Sequence, residues 1–281
     1  MLTDYHLHLR PDEDDTTFER YFNAANAERY RAAADAAGIE ELGVSEHVYR
    51  FRQALDLWSH PLWVENAGDD LDEYCEFVRS TSLRLGVECD YVPGGEERTE
   101  ALLAARDFDF VVGSVHFIGD GDAAVDHDGF DVWEQPDASA DEIWTRYFEH
   151  FDRCARSGLF DILAHPDLVK VWGKGRPLPE GDLRRFYEPA VEAIIAGGSA
   201  VELSTAGLRK PVGELYPARE FAELVVEAGV PFALSSDAHL PEQVGFGYDR
   251  AVEFLDSLGV EEIAVFEKRQ RRLAPLGARV G

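Results

Sequence analysis

The feature that most constrains the fold of this chain is a regular alternation of short apolar runs with longer helical patterns. Apolar or β-branched runs predict strands near residues 3–7, 41–45, 85–89, 110–114, 161–164, 200–203 and 231–235, with a candidate last strand at 262–266. Helical patterns lie between them, near residues 18–37, 69–84, 97–106, 140–157, 181–196, 217–228 and 243–258. Strands that alternate with helices in this way predict an α/β fold with a parallel sheet.

Glycines stand at or near the passages from helix to strand, where the end of a helix commonly needs a positive φ. They are Gly38, Gly86, Gly158, Gly198, Gly229 and Gly259. Seven strand–helix units follow one another without a linker rich in Gly, Ser or Pro, which predicts a closed barrel and a single domain over residues 1–281. A doubly wound open sheet is the alternative. Two long connections, residues 48–68 and 117–139, are expected to face a substrate.

The charge balance restricts the class of partner. The chain carries 55 acidic side chains against 27 lysines and arginines, a formal net charge of −28, which disfavours binding to nucleic acid or anionic lipid. No apolar stretch approaches the ~18 residues that a membrane span needs, and the first residues lack the pattern of a secretory signal. We therefore expect a cytoplasmic protein with no membrane or nucleic-acid partner. Its three cysteines have no close pair and are expected to be reduced and structural, and its oligomeric state is not predicted.

Six of the nine histidines lie at or just after the ends of predicted strands. They are His6, His8, His47, His116, His165 and His239. In a parallel barrel all these strand ends meet on one face, where barrel enzymes keep their chemistry. The carboxylates Glu46, Glu88, Glu202 and Asp237 fall on or near the same rim. For His60, His127 and His150 we expect packing or solvent-exposed roles.

The spacing of these residues suits a metal ion. His6 and His8 are one residue apart, so on a strand both rings project to the same side, and Asp237 and His239 repeat that spacing. Glu88 ends an apolar strand, where a buried carboxylate is costly unless a cation compensates it. Each pair alone is equally compatible with a structural role in the core. Their combination around one rim predicts a metal centre.

The strings that contain these residues resemble, in order from residue 4 to residue 239, the motifs of the polymerase and histidinol phosphatase (PHP) superfamily. They read Asp4-Tyr-His-Leu-His-Leu, Ser45-Glu-His, Gly86-Val-Glu-Cys-Asp, Gly113-Ser-Val-His-Phe, Leu163-Ala-His-Pro, Val201-Glu-Leu-Ser-Thr and Ser235-Ser-Asp-Ala-His. The segment that begins Ser204-Thr-Ala-Gly-Leu-Arg-Lys-Pro is most similar to the histidinol-phosphatase branch.

The resemblance implies a distorted (β/α)7 barrel that holds two or three divalent ions. By motif position, His6, His8, Glu88 and Asp237 would hold a first ion, Glu88, His116 and His165 a second, and His47 and His239 would contribute to a third. Glu88, Asp237 and His239 are the candidate catalytic residues. Many relatives supply one more ligand shortly after the first motif, often a histidine. Here Asp12, Glu13 or Asp14 takes that place, or the third site is weak or altered. The ligand set suits zinc, manganese or iron.

The expected activity is a metal-dependent phosphomonoesterase that hydrolyses L-histidinol phosphate in histidine biosynthesis. Arg209 and Lys210, and next Arg50, are the candidate phosphate-binding residues, since cationic side chains pair well with phosphate oxygens. Two alternatives are a PHP phosphoesterase for another small ester, such as a nucleotide or sugar phosphate, and a non-catalytic metal-binding protein that keeps the fold. An amidohydrolase barrel usually needs a lysine on a middle strand, whereas Lys170 is expected in a loop.

Overall fold

The computed structural model describes residues 1–12, 16–118, 123–135 and 138–277. Its central feature is a set of short, buried parallel strands. These are β1 (Thr3–Asp4), β2 (Glu41–Val44), β3 (Arg84–Leu85), β4 (Glu88–Asp90), β5 (Val112–Ser114), β6 (Ile162–Leu163), β7 (Ala200–Ser204) and β8 (Phe232–Ser235). They pair in the orders β1-β2-β3 and β4-β5-β6-β7-β8, and every pair is parallel.

Two seams join these groups into a closed ring. At the first seam, β3 and β4 are successive pieces of one interrupted strand, and a parallel bridge between His47 and Glu88 continues the pairing with the chain after β2. At the second, the Tyr5 amide donates to the Leu234 carbonyl at 3.3 Å, and Leu7 forms a parallel bridge to Ala238. With β3 and β4 counted as one strand, the ring has seven strands. The predicted distorted α/β barrel is confirmed.

The helices surround this ring. They are α1 (Phe18–Tyr21), α2 (Ala24–Ala36), α3 (Pro61–Asn66), α4 (Leu71–Arg79), α5 (Glu96–Ala104), α6 (Ala140–Arg156), α7 (Arg184–Gly197), α8 (Arg219–Glu227) and α9 (Tyr248–Ser257). The prediction of one helix over residues 18–37 is wrong. The Asn23 side chain accepts a hydrogen bond from the Asn26 amide and starts a new helix there, because an asparagine competes well as an N-cap. Among the described residues no helix is both long and apolar enough to span a membrane.

The candidate last strand forms, but outside the ring. β9 (Glu262–Glu267) pairs antiparallel with β10 (Gln270–Pro275) in a hairpin. The Phe266 amide donates to the Tyr5 hydroxyl at 3.1 Å, and Ala264 and Val265 pack with Tyr5 and Phe110 in one buried cluster. The hairpin thus covers the end of the barrel where β1 begins, which leaves the opposite end for the site.

Five of the six helix-terminal glycines have the expected positive φ, and Gly86 does not. Gly86 lies between β3 and β4, where an added Cβ atom would come within 2.3 Å of the Phe110 ring. Glycine at this position therefore makes room for an aromatic side chain inside the barrel.

Candidate metal centre

The six strand-end histidines meet at the carboxyl end of the barrel, as the alternation predicted. His6 and His8 follow β1, His47 follows β2, and His116 and His165 follow β5 and β6. Three sets of candidate ligand atoms lie within 4.8 Å of one another. They are His6, His8 and Asp237; His6, Glu88 and His165; and His8, His47 and His239.

Glu88 lies at the middle of this cluster, 1% exposed. Its Oε2 atom is 3.2 Å from His6 Nε2, 3.6 Å from His8 Nε2 and 2.6 Å from His47 Nδ1. Its Oε1 atom lies 3.5 Å from the Nε2 atoms of both His116 and His165. The two oxygens therefore face different histidine sets, which is the arrangement that a bridging carboxylate needs.

Asp237 and His239 approach the cluster from the chain after β8. The Asp237 Oδ1 atom lies 3.5 Å from His8 Nε2 and 3.8 Å from His6 Nε2. His239 Nε2 lies 2.7 Å from the Oδ2 atom of Asp12. Of the three acidic residues considered for the third site, Asp12 thus reaches a candidate ligand, while Glu13 and Asp14 lie outside the described residues.

The buried polar atoms of this cluster fit a metal centre. Both Glu88 oxygens and the Nε2 atoms of His6 and His8 are buried without a hydrogen-bond partner among the residues that the structure describes. Native proteins rarely leave such atoms unpaired, and here they converge on one volume. Imidazole nitrogens with carboxylate oxygens form a donor set that suits zinc, manganese or iron.

The electrostatics hold Glu88 and His8 in the forms that bind a metal ion. Burial raises the pKa of Glu88, but the charges of His47, His6 and His116 hold it well below its usual value, so the carboxylate is ionised. Burial, together with the charges of His47 and His239, lowers the pKa of His8 to about 3, so this ring is neutral. A neutral imidazole and an ionised carboxylate are the forms that bind metal.

Two further carboxylates orient the rings of the cluster. His6 Nδ1 is hydrogen-bonded to Glu202 Oε1 at 2.7 Å, and His116 Nδ1 to Asp90 Oδ1 at 2.7 Å. In each ring the Nε2 atom is left to face the centre. Carboxylates that hold the second nitrogen of a ligating histidine are typical of metal sites. The sequence located Glu202 on the rim without a role and did not single out Asp90, although Asp90 lies two residues after Glu88 on the same side of a strand.

We expect the substitution Glu202→Gln to weaken metal binding by about 10- to 100-fold. Besides its bond to His6, the carboxylate accepts from the Ser235 hydroxyl at 2.6 Å and from the His165 amide at 2.5 Å, so a glutamine NH2 group would face a donor. Metal affinity measured by competition with a chelator checks this, with Glu220→Gln on the exposed face of α8 as control. Equal affinity in both variants would contradict the role of Glu202.

A cavity of about 1100 Å³ opens beside the cluster. Both long connections contribute to its wall, with Tyr49 and Leu62 from the first and Phe117 and Phe130 from the second. His127 also lines it, whereas His60 packs against Phe117, with 4.5 Å between ring centroids, and His150 Nδ1 lies 2.8 Å from the Arg146 carbonyl oxygen. The two long connections therefore give the cavity wall several aromatic rings, from Tyr49, Phe117, His127 and Phe130.

The candidate phosphate-binding residues differ in their placement. Arg50 and Lys210 line the cavity, and so does Arg10, for which the sequence had suggested no role. Arg209 is not among the described residues of the cavity wall. Its Nη2 atom donates to the carbonyl oxygens of Ser236 and Asp237, each at 2.8 Å, and its Nη1 atom is buried. These contacts differ from the predicted phosphate-binding role, because the guanidinium is engaged with the backbone behind Asp237.

Comparison with known proteins agrees with this geometry. The family model for the PHP domain matches residues 19–206. A probable histidinol-phosphatase of Deinococcus radiodurans is 33% identical over 258 residues, covering 88% of this chain and 91% of that protein. A probable histidinol-phosphatase of Schizosaccharomyces pombe is 26% identical over 255 residues, covering 82% and 80% of the two chains.

The fold is also that of a solved structure. A histidinol phosphate phosphatase from Lactococcus lactis, in complex with zinc, L-histidinol and phosphate, matches with a TM-score of 0.75 at 19% identity, covering 96% of this chain and 98% of that one. The extent of the family match and the 33% identity to a full-length relative assign the chain to a family. The chain belongs to the PHP domain family.

Proposed function

We propose that this protein is a metal-dependent phosphomonoesterase that hydrolyses L-histidinol phosphate to L-histidinol and phosphate. The observation that carries the proposal is Glu88, a buried carboxylate whose two oxygens face separate histidine sets beside a cavity lined by cations. The relative from Deinococcus radiodurans, a probable histidinol-phosphatase, supports the choice of substrate. The activity would place the protein in histidine biosynthesis, in the cytoplasm.

The proposed ligand sets follow the contacts of the cluster. His6, His8, Glu88 and Asp237 would hold one ion, and Glu88, His116 and His165 a second. His47, His239 and Asp12 are the candidates for a third. Divalent ions bound here would supply a hydroxide nucleophile at neutral pH and neutralise charge on the phosphoryl group. Zinc is present in the related Lactococcus lactis structure, and manganese or iron would suit the same donors.

The cationic side chains of the cavity wall would bind the phosphate group and orient it. Lys210 and Arg50, with Arg10, would pair with phosphate oxygens, and their position in the cavity wall next to the cluster supports this role. One buried carboxylate, Glu46, holds two of them: Arg10 Nε and Arg50 Nε lie 3.3 Å and 3.9 Å from its Oε2 atom. A fixed cation stabilises transferring charge better than a mobile one, because it needs no reorganisation during the reaction.

We expect catalytic efficiency, kcat/KM, on L-histidinol phosphate to exceed that on nucleoside monophosphates and sugar phosphates by at least about tenfold, or ~1.4 kcal/mol of transition-state binding. Steady-state assays of the protein loaded separately with zinc, manganese or iron test this, with chelator-treated protein as the control. Equal efficiency on unrelated monoesters would make the protein a general phosphatase. Full metal occupancy without turnover of any ester would favour a non-catalytic metal-binding protein.

A further inference from the structure

We propose that Asp126 binds the ammonium group of the substrate and so selects phosphate esters whose alcohol carries a positive charge. The inference rests on the proposed function and assigns a residue that would recognise the alcohol part of the ester. It follows from four features of the cavity: how Asp126 is held, which groups share the cavity with it, the lack of a side-chain partner for its carboxylate among the described residues, and where the cations lie.

The chain after β5 folds back on itself and holds Asp126 at the cavity wall. The Val125 amide donates to the His116 carbonyl at 2.9 Å, and the Trp172 indole donates to the Val125 carbonyl at 2.8 Å. Both backbone groups of the residue before Asp126 are thus fixed. A second backbone bond joins the Ile118 amide to the Ala123 carbonyl at 2.9 Å. Asp126 is therefore presented on a braced segment.

Asp126 lines the same cavity as the metal cluster. The wall that contains Asp126 also contains Glu88, His116 and His165. Any cation that binds Asp126 would thus lie within reach of an ester held at the centre.

Among the described residues of the cavity wall, Asp126 is a half-buried carboxylate for which no side-chain hydrogen bond or ion pair is found. Acidic residues of the wall are Asp12, Glu19, Glu65, Asp69, Glu88, Asp126, Asp128 and Asp237. Asp12, Glu88 and Asp237 belong to the metal cluster, and Asp69 lies 2.6 Å from Arg10 Nη2. Glu19, Glu65 and Asp128 are exposed, whereas Asp126 is half-buried. Within residues 1–12, 16–118, 123–135 and 138–277, no side-chain hydrogen bond or ion pair joins it. A half-buried carboxylate gains most from a cation that a ligand brings.

The cations of the cavity wall and Asp126 come from different parts of the ring. Arg10, Arg50 and Lys210 come from the chain after β1, β2 and β7, whereas Asp126 comes from the chain after β5. In the ring, β5 is three strands from β1 and two strands from each of β2 and β7 when β3 and β4 count as one. An ester with phosphate at one end and an ammonium group at the other can pair with both. The rings of Phe130 and Trp172, also in the wall, offer apolar faces to an imidazole.

The test compares two esters on three proteins. The esters are L-histidinol phosphate and its counterpart without the amine, 3-(imidazol-4-yl)propyl phosphate. The proteins are the wild type, Asp126→Asn, and, as the control, Asp249→Asn at an exposed position of α9 outside the cavity wall. We expect the wild type and the control to favour the amine-bearing ester by about 10- to 100-fold in kcat/KM, the range of a charge-assisted hydrogen bond. Asp126→Asn should bring this ratio close to one, chiefly through KM.

Each other outcome is decisive. Equal loss on both esters in Asp126→Asn would assign the residue to the metal centre or the chemistry and overturn recognition of the ammonium group. An unchanged ratio in Asp126→Asn would overturn it as well. A wild-type protein that hydrolyses other monoesters but neither imidazole ester would contradict the proposed function itself, and this inference with it. That failure is visible before any variant is made.

Discussion

The substitution Glu88→Gln is expected to abolish turnover and to lower the metal content of the purified protein. The carboxylate faces His6 and His47 with one oxygen and His116 and His165 with the other. Glutamine keeps the shape but removes the charge, so two bound dications would repel each other without the anion between them. One charge pair at ~4 Å contributes about 4 kcal/mol at an effective dielectric of 20, or about a thousandfold in binding.

The measurement is metal analysis by mass spectrometry together with kcat/KM on L-histidinol phosphate. Glu97→Gln makes the same chemical change at an exposed position of α5 and should leave both values unchanged. The bridging role would be refuted by full occupancy with near-normal turnover in Glu88→Gln. A thermal unfolding scan in chelator separates this effect from misfolding, because without metal the two variants should then unfold at similar temperatures.

The barrel and its histidine rim could be predicted because both follow from local patterns. A one-residue spacing brings His6 and His8 to one side of a strand, and parallel strands bring their carboxyl ends to one face. The three ligand groups that meet there use only residues that the sequence already singled out. Their roles as ligands stay a prediction until metal is measured.

Other features could not be predicted because they depend on contacts between distant segments. The break between β3 and β4 leaves Gly86 facing Phe110, a contact across 24 residues that no local pattern encodes. The pairing of His6 with Glu202 joins residues 196 positions apart. In the hairpin, the sequence predicts β9 but not β10. β10 is rich in arginine and exposed, so it lacks the apolar run that predicts a strand.

Arg209 is the candidate residue whose contacts depart most from the role that its chemistry suggests. A guanidinium near a phosphatase motif suggests a phosphate ligand, since its planar fork matches two phosphate oxygens. In the structure only the Nη2 atom of that fork donates to the backbone carbonyls of Ser236 and Asp237, and Nη1 has no hydrogen-bond partner among the described residues. Asp237 has a φ of +51°, a left-handed conformation that costs an aspartate about 1–3 kcal/mol unless its surroundings hold it. The contacts therefore support a positioning role behind a candidate ligand.

The substitution Arg209→Ala is accordingly expected to reduce kcat/KM by roughly a hundredfold, mostly in kcat, and to lower metal occupancy. Two hydrogen bonds from a charged donor, each worth ~1.5–3 kcal/mol, would be lost from the segment that presents Asp237. Arg209→Lys should recover part of the activity, and Arg250→Ala on the exposed face of α9 should match the wild type. If Arg209 instead binds phosphate, Arg209→Ala should have a higher KM and keep full metal occupancy. Metal content and the division of the loss between kcat and KM therefore decide between positioning and phosphate binding.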